Sequence, residues 1–212
     1  MTRRVVARLA AKTRQSKQWI VHSIVATICG VGIFFAHELG HASAALLLGG
    51  NVQVFNVLGI QWYPKLLWMP QLGLGGFVIW TNPYNPVIPN LIIVAGSTGT
   101  LLLALGAALI GNVTRARGVA RTACLTFSLY FLDSVIHLIP VLGVTYYWAT
   151  TRVRGFSEAY FAFADLGVPG PLYSAVVFSV TLVILLLDAR ALTRRVRTPE
   201  PILPHAQVRK TV

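Results

Sequence analysis

A chain of 212 residues that is 55% hydrophobic and only 11% charged is far from a soluble globular domain, in which about a quarter of the residues are charged. It reads as one integral membrane domain, too short for a second globular module. The net charge of +12 does not point to nucleic acid, because the basic residues gather at the two tails and in one short loop instead of interleaving with aromatics.

In chain order, the first feature is a basic cytoplasmic tail, residues 1–18, with Arg3, Arg4, Arg8, Lys12, Arg14 and Lys17 and no acidic residue. The apolar run that follows exceeds a signal-peptide core and flows straight into a polar motif, so an uncleaved signal-anchor is expected. Four stretches can span a bilayer, at about 19–48, 88–111, 118–140 and 170–188, each near or above the ~20 residues a spanning helix needs. An all-α polytopic membrane protein follows, with its membrane domain over 19–188. Lys65 alone is basic after the first span, Arg115, Arg117 and Arg121 follow the second, and Arg152 and Arg154 follow the third. With the basic tails, that alternation puts both termini in the cytoplasm. Cys29 and Cys124 both fall in apolar runs and support neither a disulfide framework nor a cysteine zinc site.

Residues 51–81 are different. Val52, Val54 and Phe55 are β-prone, while Gly59, Pro64, Pro70, Gly73, Gly75 and Gly76 punctuate the run. A short β-hairpin or looped sheet at the membrane surface fits, and so does an interfacial loop anchored by Trp62, Trp68 and Trp80. The second span is dense in small residues around Ala95-Gly96-Ser97-Thr98-Gly99-Thr100, which lets helices pack closely in lipid. The tail over 189–212, with Pro199, Pro201 and Pro204 among basic residues, is expected to be disordered.

The chemistry lies in His37-Glu38-Leu39-Gly40-His41, which closes the first apolar run. Histidines at i and i+4 project from one face of a helix, so both imidazoles can reach one metal ion. The glutamate between them can act as general base on a metal-bound water. Headgroup-level residues at a helix end would explain the polarity but not the spacing. His22 lies about 22 Å earlier along the helix, so it cannot share the ion.

A catalytic zinc takes three protein ligands, and the acids can be named: Glu38, Asp133, Glu158, Asp165, Asp188 and Glu200. Asp188 and Glu200 belong to the cytoplasmic end and the tail, and Asp165 looks like a surface residue near a helix end. Asp133 lies inside the third span with His137 on the same face, where an acid is costly unless paired or metal-bound. It is either a ligand or a partner of His137. Glu158 follows Ser157, a capping residue, at the start of a short helix.

These elements together resemble the site-2 protease family of intramembrane zinc metalloproteases. The resemblance covers most of residues 30–170 and rests on HELGH in the first span, the β-prone stretch after Gly49-Gly50 and the small-residue span with Ala95-Gly96. His137-Leu138-Ile139-Pro140 is similar to the family's Asn-Leu-Leu-Pro element. Ser157-Glu158-Ala159 with Leu166-Gly167-Val168-Pro169 is similar to the Ser/Thr-Asp-Gly and Leu-Gly-hydrophobic-Pro layout of its compact members. Here His137 stands for the asparagine, Glu158 for the aspartate and Ala159 for the glycine. The resemblance implies Zn²⁺ held by His37, His41 and Glu158, with Asp133 as the alternative third ligand, Glu38 as the base and His137 as polar support. It implies hydrolysis of a membrane-anchored protein within the lipid bilayer. Two other functions fit the same chain: a non-proteolytic membrane chaperone or regulator of this fold, and a small transporter using Asp133, His137 and His22 as a polar track.

Overall fold

The computed structural model describes residues 2–69, 76–81, 85, 87–136, 138 and 158–196, and at residues 2–12, 14, 158, 195 and 196 it describes the backbone alone. Helix α1 runs over Thr2–Leu47, about 69 Å at 1.5 Å per residue. The basic segment before residue 19 is therefore the first part of the same helix. Its apolar portion, Gln15–Leu47, exceeds the ~30 Å hydrocarbon thickness of a bilayer by several turns. The helix stops where the sequence turns to glycine. Gly49 sits at φ 83°, its N–H bonds the Leu46 carbonyl and that of Gly50 bonds the Ala45 carbonyl, which is a Schellman closure.

The chain then builds a four-stranded antiparallel sheet of β1 (Asn51–Val57), β2 (Ile60–Tyr63), β3 (Leu67–Trp68) and β4 (Gly76–Thr81), in the order β3-β2-β1-β4. The looped-sheet expectation for 51–81 is met, with more strands than one hairpin. Leu58 and Gly59, both at positive φ, make the two-residue connection between β1 and β2, the geometry of a type I′ turn. Pro70, Gly73 and Gly75 lie outside the described residues. Pairing of Val57 with Gly76 and of Val52 with Trp80 brings β4, distant in sequence, to the inner edge beside α1.

Helix α2 covers Val87–Val113. The third expected span is interrupted: α3 (Gly118–Ser128) and α4 (Phe131–Ile136) are joined by i→i+3 bonds from Leu129 to Thr126 and Tyr130 to Phe127. This tighter, 3₁₀-type turn precedes Asp133. Helix α5 (Glu158–Asp165) ends at Gly167 (φ 81°), where Val168 N–H reaches the Phe163 carbonyl. Helix α6 spans Gly170–Val196, so the chain stays helical past residue 188; residues 197–212 lie outside the described set.

Among the described residues, four helical stretches are long and apolar enough to cross a membrane: Gln15–Leu47, Val87–Val113, Gly118–Ile136 (α3 with α4) and Gly170–Arg194. Their outward faces are apolar, with Leu102, Leu103, Leu182 and Leu186 exposed. The interior is correspondingly polar in places, since Ser97, Thr100, Ser128 and Ser134 are fully buried. The apolar core gathers Leu101 and Ala104 of α2, Tyr130 and Phe131 at the α3–α4 turn, Ala159 of α5 and Val177 of α6.

Candidate metal centre

Helix α1 crosses α2 with almost no side chain between them. A Cβ on Gly40 would lie 2.5 Å from the Ala95 carbonyl oxygen and 2.9 Å from the Gly96 Cα. Only glycine tolerates such backbone contact, and it draws the HELGH turn against the small-residue stretch of α2. A Cβ on Gly96 would meet the His41 ring at 2.5 Å and His37 Nε2 at 2.9 Å. The missing side chain of Gly96 is thus the space into which both imidazoles project.

The ring nitrogens define what that space can hold. His37 Nδ1 is 2.8 Å from Asp133 Oδ2, and His41 Nδ1 is 2.8 Å from the Ile92 carbonyl oxygen. A carbonyl and a carboxylate only accept, so each Nδ1 carries the proton and donates it. Each Nε2 is then a lone-pair donor, and the two Nε2 atoms stand 3.0 Å apart. A hydrogen bond between them requires one ring to be an imidazolium. Otherwise two lone pairs face each other, an arrangement relieved by a shared cation.

Glu38 is 7% exposed and lies between α1 and the sheet. A Cβ on Gly76 would be 2.5 Å from Glu38 Cγ and Oε1, so the first residue of β4 makes room for the carboxylate. At the other end of the strand, Trp80 lies nearly parallel to His41, with ring centroids 6.3 Å apart. β4 therefore runs along the HELGH face, and among the described residues it pairs with β1 alone.

Of the residues singled out from the sequence, the fold brings His37, Glu38, His41 and Asp133 together. Asp133 approaches His37 from the Nδ1 edge. The Glu158 side chain lies outside the described residues, and so does His137. The α5 backbone nevertheless packs on α2 and α6, and Ala159, next to Glu158, is fully buried in the core that includes Phe131 and Leu138. Asp165 is exposed, and Asp188 accepts a hydrogen bond from the Ser128 hydroxyl at 2.6 Å, away from this centre. His22 Nδ1 is 2.6 Å from Thr122 Oγ1, also apart from it. Among the described residues, no three His, Cys, Asp or Glu side chains form a group able to hold a metal ion. Sequence reasoning missed Gly76, Thr100 and the Ile92 carbonyl. The only signal for them was the glycine and threonine content of segments already read as loop or packing surface.

No family model, curated protein or solved structure matches this chain.

Proposed function

We propose that the chain is a multi-pass membrane zinc endopeptidase that hydrolyses a peptide bond of a membrane-anchored protein, with both termini in the cytoplasm. One observation carries the reading: two imidazoles, each with Nδ1 held by an acceptor, turn their Nε2 atoms to within 3.0 Å of each other over Gly96. The pair of imidazole nitrogens fits zinc, and a carboxylate as third ligand would complete the set. Two Zn–N bonds of the usual length at a tetrahedral angle put the nitrogens about 3.3 Å apart, and two imidazoles with a carboxylate suit that ion. His37 and His41 would hold it, with Glu158 as third ligand at the start of α5. A zinc ion supplies Lewis acidity there, lowering the pKa of a water toward about 7 and polarising the peptide carbonyl.

The chain's own groups do the rest. Glu38, kept beside the sheet by the space at Gly76, accepts the proton of the attacking water at its carboxylate and delivers it to the leaving amine. His137 is placed in sequence to donate to the developing oxyanion. The outer edge of β4, which follows the HELGH face from Gly76 to Trp80, pairs with an unwound substrate segment through backbone hydrogen bonds. That pairing satisfies the substrate backbone inside a membrane without reading its side chains. The resemblance to the site-2 protease family supports the same reading.

The test is Glu38→Gln in the purified full-length protein. Zinc content and helix content should match wild type, while cleavage of single-span membrane peptides in liposomes, read by mass spectrometry, should vanish. Equal processing by both proteins would overturn the protease reading and leave the non-proteolytic alternative.

A further inference from the structure

Asp133 accepts two hydrogen bonds on one oxygen, and the identity of the donors gives it a role. Its Oδ2 is 2.8 Å from His37 Nδ1 and 2.7 Å from the Thr100 hydroxyl. Three helices meet at that atom: α1 through His37, α2 through Thr100 and α4 through Asp133. The Thr100 hydroxyl has one proton and three acceptors within reach, since the Ser97 carbonyl is 2.9 Å away and the Gly96 carbonyl 3.5 Å away. The Ser97 carbonyl already receives the Ser134 hydroxyl at 2.7 Å. The shortest contact, to a carboxylate, is also the charge-assisted one, so the proton goes to Asp133.

We infer that Thr100, Asp133 and His37 form a positioning relay, in which Asp133 acts on the metal through His37 and Thr100 acts through Asp133. The inference rests on the metal-binding reading of His37 and His41. It assigns Asp133 a part other than third ligand. The oxygen bound to Nδ1 lies on the ring edge that faces away from His41, whereas Nε2 is the atom that faces it. A carboxylate at that position fixes the tautomer, holds the ring plane and makes Nε2 a better donor. The His41 Nδ1 faces a backbone carbonyl instead of a carboxylate, so the two imidazoles are unequal and His37 is the stronger donor. The relay also explains a charged group inside an apolar span, where an acid without partners is expensive. Thr100 supplies a second donor to the same carboxylate oxygen.

The experiment measures zinc affinity of the full-length protein in detergent by competition with a chromophoric chelator, alongside zinc per chain at saturation. Four variants are compared with wild type: Asp133→Ala, Asp133→Asn, Thr100→Val and Thr100→Ser. Helix content and elution profile of the zinc-free proteins identify any variant that fails to fold, and Asp133→Asn and Thr100→Val, close in shape to the originals, keep the test alive if Asp133→Ala does. The relay predicts that Asp133→Ala still saturates with one zinc but binds it about 10- to 100-fold more weakly. Asp133→Asn should fall between wild type and Asp133→Ala. Thr100→Val should weaken zinc about 2- to 10-fold, the share one hydrogen bond carries, and Thr100→Ser should restore it. In an Asp133→Ala background, Thr100→Val should add nothing. Loss of stoichiometric zinc in Asp133→Ala would make Asp133 a ligand and overturn the relay. Unchanged affinity in Asp133→Ala, or additive effects of the two substitutions, would overturn it as well. A wild-type protein that takes up no zinc overturns the metal reading and the relay together, an outcome distinct from those.

Discussion

The substitution Gly96→Ala puts the geometry of the proposed metal site at risk with a single methyl group. Gly96 is inside α2, so alanine there gains about 1 kcal/mol of helix propensity. Against that stands the clash. The new Cβ would lie 2.5 Å from His41 Cε1 and Nε2 and 2.9 Å from His37 Nε2, where non-bonded heavy atoms prefer about 3.5–4.0 Å. His41 must retreat by about 1 Å. Its Nδ1 is tied to the Ile92 carbonyl at 2.8 Å, so the retreat strains or breaks that bond. Overpacking of this kind costs about 1–3 kcal/mol, which leaves the zinc-free protein between unchanged and about 2 kcal/mol less stable. Function suffers far more, since a misplacement of about 1 Å can cost about 10²-fold.

Gly106→Ala on the same helix is the control, because its Cβ would meet nothing within 4 Å. The measurements are zinc per chain against buffered zinc and thermal unfolding of the zinc-free protein in detergent. Gly106→Ala should bind zinc as wild type does and unfold no earlier. Gly96→Ala should lose zinc affinity by about 10²-fold or more with only a small change in unfolding. Equal zinc affinity in the two variants would refute the convergence of the imidazoles over Gly96.

Two further predictions separate the base from the ligands. Gly76→Ala should leave zinc uptake intact yet lower turnover by about 10²-fold, the low end of a general base's contribution, because the methyl displaces the Glu38 carboxylate; a turnover matching wild type would show that the sheet does not hold Glu38 in place. Glu158→Ala should strip zinc while Asp165→Ala, at an exposed position of the same helix, keeps it, and zinc retained in Glu158→Ala would remove that residue from the ligand set.

The long apolar helices were legible because length and apolar composition are local properties, and the sheet because glycine and proline interrupt a β-prone run. The break in the third span was not. Phe127, Leu129, Tyr130, Phe131 and Leu132 form an apolar run with no proline or glycine, so nothing in the pattern marks a turn there. What the sequence does not show is the packing at that turn: Tyr130 is 1% exposed, and its hydroxyl donates to the Cys29 carbonyl of α1. The reach of α6 to Val196 was missed for another reason. Charged residues such as Arg190, Arg194 and Arg195 end an apolar span, but as good helix formers they do not end a helix.

At the site, the sequence shows the members of the HELGH turn because their spacing is set by the helix itself. It cannot show who stands across from them. His37 and Asp133 are 96 residues apart, and Asp133 and Thr100 are 33 apart, so those contacts follow from how α1, α2 and α4 cross. The glycines are a middle case. Gly40, Gly76 and Gly96 are each readable as a packing or turn residue, yet in the fold each marks a place where a Cβ would strike α2, Glu38 or the two imidazoles. A polar centre enclosed by apolar helices needs close backbone approach around it and open volume at its middle, and glycine provides both. In the proposed metal reading, the glycine opposite the histidine pair marks the cradle and the acid in the neighbouring helix supports one of the histidines.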